Sequence, residues 1–147
     1  MKQFLVLLLL VASVAVCTTA FASALPADNT GKFTAEKLKQ IEDNLIVCLA
    51  SDCPGIRTSA ALTLKQLKEI VPEYAFSRSI IPLMAVVNSE DYDENSRIVA
   101  ALALYKLESD RGDYAIKWTG HFTGAPRVKH IYEALTYDRE QSRLAAR

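Results

Sequence analysis

The strongest constraint on this chain is an internal repeat. Residues 57–67 align without gaps on residues 97–107, with six of eleven positions identical at an offset of 40. The identities are Arg57 with Arg97, Ala60 with Ala100, Ala61 with Ala101, Leu62 with Leu102, Leu64 with Leu104 and Leu67 with Leu107. The same offset lays residues 72–76 on 112–116, matching Tyr74 to Tyr114 and Ala75 to Ala115. A period of this length marks stacked supersecondary units that bury their apolar faces on one another. Paired alanines inside a Leu-rich stripe mark the place where a neighbouring helix backbone comes close.

The apolar spacing along the rest of the chain is helical. Thr34 is placed to cap a helix over 34–50, with Leu38, Ile41, Leu45, Cys48 and Leu49 on one face. The Pro54-Gly55 break separates it from a second helix over 56–70, which stops before Pro72. A third covers 80–88, with Pro82 tolerable only in its first turn. The fourth starts at Asn95 or Ser96 and runs to Glu108; a fifth spans 111–122 and a sixth 126–137, beginning on Pro126. Asn-Gly and Asp-Gly hairpin turns are absent and no segment after residue 25 alternates cleanly, so the predicted class is all-α.

Asp52, Pro54 and Arg57 before Ala60, Ala61, Leu62 and Leu64, and Asp93 and Arg97 before Ala100, Ala101, Leu102 and Leu104, resemble HEAT-type (armadillo-like) helical repeats. The resemblance covers about residues 34–136. It implies a short right-handed α-α superhelix of about two full repeats with a partial repeat on each side, the 34–50 helix being the second helix of the incomplete first unit. It also implies that Asp52, Arg57, Asp93 and Arg97 are structural, joining neighbouring turns by hydrogen bonds and charge. The second unit lacks the Pro and has a longer turn, which leaves Asp91, Asp93 and Glu94 open as partners of Arg97.

The first two dozen residues follow another logic. Lys2 precedes an apolar run over 4–16, and small residues over 18–24 offer A-x-A cleavage after Ala22 or Ala24. The expectation is a cleaved secretory signal over 1–24, then a flexible segment over 25–33, the repeat domain over 34–137 and a tail over 138–147. The 17 basic and 17 acidic side chains cancel, and losing Lys2 tips the mature chain slightly acidic. That balance argues against a phosphate-tracking nucleic-acid binder. Export places the protein in the periplasm or outside the cell, with no membrane insertion of the mature chain.

Few residues suggest chemistry. Cys48 and Cys53, the two cysteines left after cleavage, lie where a bent chain can bridge them; a buried Cys48 with an exposed Cys53 is the other reading. Their spacing is wrong for a C-x-x-C redox motif. Asp91, Tyr92, Asp93, Glu94 and Asn95 match the start of a calcium loop, but Ser96 stands where Gly is required and Leu102 where a bidentate Glu is required. His121 and His130 have no Cys, Asp or Glu at ligand spacing, and no G-x-S-x-G elbow or Gly-rich phosphate loop is present. No metal, cofactor or catalytic residue is therefore expected.

Residues 117–147 hold six basic and three acidic side chains with Trp118, Phe122, Tyr132 and Tyr137. Aromatic and basic groups together suit a recognition patch. The expected function is an exported binding or scaffold module that grips a protein partner around Arg78, Met84, Lys117, Trp118 and His121. Self-association is an alternative use of the apolar repeat ends. A small-molecule or redox-active role for Cys48 and Cys53 is the runner-up.

Overall fold

The computed structural model describes residues 33–146. The expected signal over 1–24, and all but the last residue of the 25–33 segment, lie outside the described residues. Within them the chain forms six α-helices, one short 3₁₀ turn and no strand. The helices are α1 (Ala35–Leu49), α2 (Pro54–Ile70), α3 (Ile80–Asn88), α4 (Glu94–Leu107), α5 (Asp110–Phe122) and α6 (Pro126–Ala145). None is long and apolar enough to cross a membrane.

Local chemistry fixes most helix ends. Thr34 caps α1, its hydroxyl accepting from the Lys37 amide at 3.3 Å. Asp93 caps α4 and Ser109 caps α5 in the same way. Pro54 and Pro126 occupy first turns, where a missing N–H costs nothing. The acidic cap moves the start of α4 to Glu94, one or two residues ahead of the expected Asn95 or Ser96.

Consecutive helices pack most closely as α1 with α2, α3 with α4, and α5 with α6, and α4 also lies against α2 and α6 while α3 lies against α5. Helix α1 is therefore the first member of a hairpin with α2, not the second helix of an incomplete unit. Helices α2 and α3, joined by residues 71–79, are not a closely packed pair. The core runs along these contacts through Ala60, Ala61, Leu64, Leu83, Val87, Ala100, Ala101, Leu104, Ile116, Val128 and Tyr132. Both alanine pairs of the repeat are buried, and the two helices that carry them, α2 and α4, lie against each other.

The second matched segment does not share a structure. Residues 112–116 are helical in α5, whereas 72–76 form an irregular connection. Pro72 prevents α2 from continuing, and Phe76 takes a left-handed conformation (φ 45°) that buries its ring completely. The connection is tied down by Glu42 of α1, which is 1% exposed. Its carboxylate accepts from the Ser79 amide at 2.9 Å, the Ser79 hydroxyl at 3.0 Å and the Tyr74 hydroxyl at 3.2 Å.

The last helix also corrects an expectation. Helix α6 continues to Ala145, through most of the 138–147 stretch expected to be a tail. Arg139 and Arg143 bind it to Asp113 of α5, and Lys117 pairs with Glu140 at 2.9 Å.

Candidate docking surface on α5

Helix α5 buries Gly112, Ala115, Ile116, Thr119 and Gly120, and turns its aromatic residues outward. Tyr114, Trp118 and Phe122 recur every four residues, which places them in one row on the helix surface. They are 64%, 55% and 66% exposed, so the row is a solvent-facing apolar surface rather than a closure of the helix stack. The rings touch one another. Tyr114 lies nearly parallel to Trp118 with centroids 6.1 Å apart, and Trp118 meets Phe122 at 4.7 Å with the planes tilted 49°. Mutual contact restricts the rings before any partner arrives, which lowers the entropy cost of using them.

Beside the row, a cleft of about 250 Å³ opens between α4, α5 and α6. Tyr114, Lys117 and Arg143 stand at it with Tyr105, Asp113 and Arg139. Arg139 lies over the Tyr105 ring at 4.2 Å, and the Tyr105 hydroxyl meets Asp138. Burial pushes the Asp113 carboxyl above its ordinary range, although Arg139 and Arg143 beside it pull the other way. The Arg139 Nε lies 3.2 Å from Asp113 without the alignment of a hydrogen bond, so the contact is chiefly one of charge.

The sequence-derived candidates divide between places. Lys117, Trp118 and His121 share the exposed side of α5, with Lys117 held by Glu140. Arg78 sits in the 3₁₀ turn ahead of α3 and pairs with Asp43 of α1. Met84 is half-buried against the core. Tyr114 is absent from the sequence-derived set, although its spacing of four from Trp118 is the signal that finds it.

The four repeat residues correct the expected pairing. Arg57 reaches Asp93 of α4 at 3.3 Å and the Ser51 carbonyl at 2.6 Å, while Asp52 remains exposed at its turn. Arg97 does not take Asp91, Asp93 or Glu94. Its Nη2 donates to the Thr123 hydroxyl at 3.1 Å. The turn before α4 curves back toward α2, which hands Asp93 to the arginine one unit earlier.

Cys48 and Cys53 are free thiols, the first half-buried and the second exposed, and both line one open groove with Leu45 and Ile56. Among the described residues no group of three or more His, Cys, Asp or Glu side chains converges as a metal site. Asp93, the centre of the calcium-like stretch, spends its oxygens on Arg57 and on the Ser96 amide and hydroxyl. Comparison with known family models, curated proteins and solved structures finds no match for this chain.

Proposed function

We propose that this protein is an exported, non-catalytic binding or scaffold module whose helix hairpins form a short HEAT-like superhelix. Its docking surface is the outer side of α5, and its partner is a protein that covers Tyr114, Trp118 and Phe122 with apolar side chains. The contacting row of three exposed aromatic rings carries the reading. Large rigid rings dominate the energetics of protein interfaces, whereas an isolated surface domain gains nothing by leaving three of them in water. The identities at an offset of 40 and the packing of hairpin on hairpin support the repeat architecture. The apolar run over 4–16 with its small-residue cleavage pattern supports export.

Affinity capture from an envelope fraction tests the docking surface. A specific partner should be retained by the native chain and by a Lys129→Ala control, and lost by Trp118→Ala. Trp118 is the sole tryptophan, so its emission should shift to shorter wavelength when that partner is added. Equal retention by Trp118→Ala and unchanged emission would remove α5 from the interface.

A further inference from the structure

Helix α2 leaves one side open to solvent. Ile56, Ser59, Thr63, Gln66 and Ile70 recur at alternating spacings of three and four, so they form one straight stripe along the helix. Ile56 is 48% exposed and Ile70 51%; Ser59 and Gln66 are exposed, and Thr63 is half-buried. None is charged, and the Thr63 hydroxyl already donates to the Ser59 carbonyl at 2.8 Å. Beside the stripe an open groove of about 530 Å³ runs between α1 and α2. Leu45 and Cys48 line one wall and Ile56, Ser59, Ala60 and Thr63 the other, again without a charged group.

The repeat shows what such a face receives. The offset of 40 carries Ile56, Ser59, Ala60 and Thr63 onto Ser96, Val99, Ala100 and Ala103 of α4. Ser96 meets α2 directly, its hydroxyl lying 2.9 Å from the Thr58 hydroxyl and 3.4 Å from the Pro54 carbonyl. Val99, Ala100 and Ala103 follow at three, four and seven residues, on the same side of the helix, and are half-buried or buried. The side of α4 that is turned to a helix is therefore the side that α2 leaves bare.

We propose that this bare face of α2 is a self-association surface, on which a second copy of the chain lays its own α2 antiparallel about a two-fold axis at Thr63. The stripe reads alike by residue type in both directions, with Ile56 and Ile70 seven residues to either side of Thr63 and uncharged Ser59 and Gln66 between. Turned on itself, it sets Ile56 against Ile70 of the second copy and Ser59 against Gln66, and brings no like charges together. Lys65 and Glu69 of the same helix pair with each other at 2.9 Å. Antiparallel pairing also opposes the helix dipoles. The exposed side of α6 is a poor complement for the groove, because Lys129, His130 and Glu133 would lose water against apolar walls. The 17-residue α2 is about 25 Å long and a helix hairpin about 20 Å wide, so the face measures about 500 Å². That is the low end for a specific interface, so the dimer is weak and reversible, with a Kd on the order of 10–100 µM. The surface is separate from the aromatic row on α5.

The test is sedimentation equilibrium of the purified protein from about 5 µM to about 500 µM, across which the native chain should pass from monomer to dimer. Trp118→Ala should do the same. Ser59→Lys combined with Gln66→Lys should weaken dimerisation by about tenfold or more, as should Ser59→Glu combined with Gln66→Glu. Both double variants should melt as the native chain does at concentrations where it is monomeric. A one-to-one mixture of the two should dimerise again, because the two-fold pairing sets residue 59 of one copy against residue 66 of the other. The proposal is overturned if the native chain stays monomeric at about 500 µM, if either double variant alone dimerises as the native chain does, or if their mixture stays monomeric. Loss of the dimer in Trp118→Ala would move the contact to α5 and overturn it equally.

Discussion

Arg57 and Asp93, 36 positions apart, form an ion pair at 3.3 Å in which the arginine is 3% exposed and the aspartate 36%. The same carboxylate accepts from the Ser96 amide at 2.9 Å and the Ser96 hydroxyl at 2.6 Å. One side chain thus caps α4, neutralises a buried cation of α2 and joins two units of the repeat. Asp93→Ala should destabilise the protein by roughly 2–4 kcal/mol, combining a lost cap with a stranded buried charge. Asp93→Asn, which keeps the cap, should cost less. Urea denaturation with an unchanged m-value checks both.

Two aspartates should give opposite signs in the dependence of stability on pH. Burial opposes ionisation of Asp93, but the Ser96 hydroxyl and amide and the Arg57 guanidinium more than offset it and hold the carboxyl below its ordinary 3.8. Its contribution is therefore complete above the unfolded pKa, about 4, and is lost as pH falls through the lower folded value. Asp113 is the reverse case, since burial raises its carboxyl despite Arg139 and Arg143. A carboxyl with a raised pKa adds stability below the unfolded value and loses it as pH rises through the folded one. In melts between pH 3 and 6, Asp93→Asn should flatten the acid decline, and Asp113→Asn should steepen it.

The two glycines of α5 should respond differently to alanine. A Cβ on Gly120 would lie 3.1 Å from Cβ of Tyr132, an atom fixed to the α6 backbone. A Cβ on Gly112 would lie 3.2 Å from Cδ2 of Leu104, which can move away by a small rotation. Alanine gains about 1 kcal/mol of helix propensity at either site. Gly112→Ala should therefore be neutral or stabilising, whereas Gly120→Ala should lose about 1–2 kcal/mol as α5 and α6 are forced apart. Thermal melts of the two variants side by side separate the cases.

Native-state alkylation should distinguish the cysteines. Cys53 is exposed at the N-cap of α2, while Cys48 is half-buried at the end of α1. With reduced protein, Cys53 should be modified first and Cys48 more slowly, as followed by peptide mass.

Apolar spacing made the helices legible, together with the Thr34 cap and the first-turn position of Pro82. Contacts between polar residues distant in sequence were not legible. Glu42 sits on the apolar side of α1 and looks out of place until Ser79 and Tyr74 are brought over it by the 71–79 connection. Asp93 carries no mark in the sequence that it serves Arg57 rather than Arg97. The row on α5 was half legible, because Trp118 and Phe122 stand in an aromatic-rich segment while Tyr114 looks like one more repeat identity.

The stretch after Asp138 has no apolar stripe, which is why its helix escapes a periodicity argument, yet charge holds it to α5. Arg139 covers the Tyr105 ring, donates to the Tyr105 carbonyl and faces Asp113, at 15% side-chain exposure; Arg143 reaches Asp110 and Asp113 at 56%. Exposed pairs contribute about 0–1 kcal/mol, and a stacked, partly buried arginine about 1–2 kcal/mol. A chain ending at Glu140 should therefore be nearly as stable as the full one, whereas a chain ending at Asp138 should lose about 1–2 kcal/mol more. Equal denaturation midpoints for the two truncations would show that Arg139 does not anchor α6.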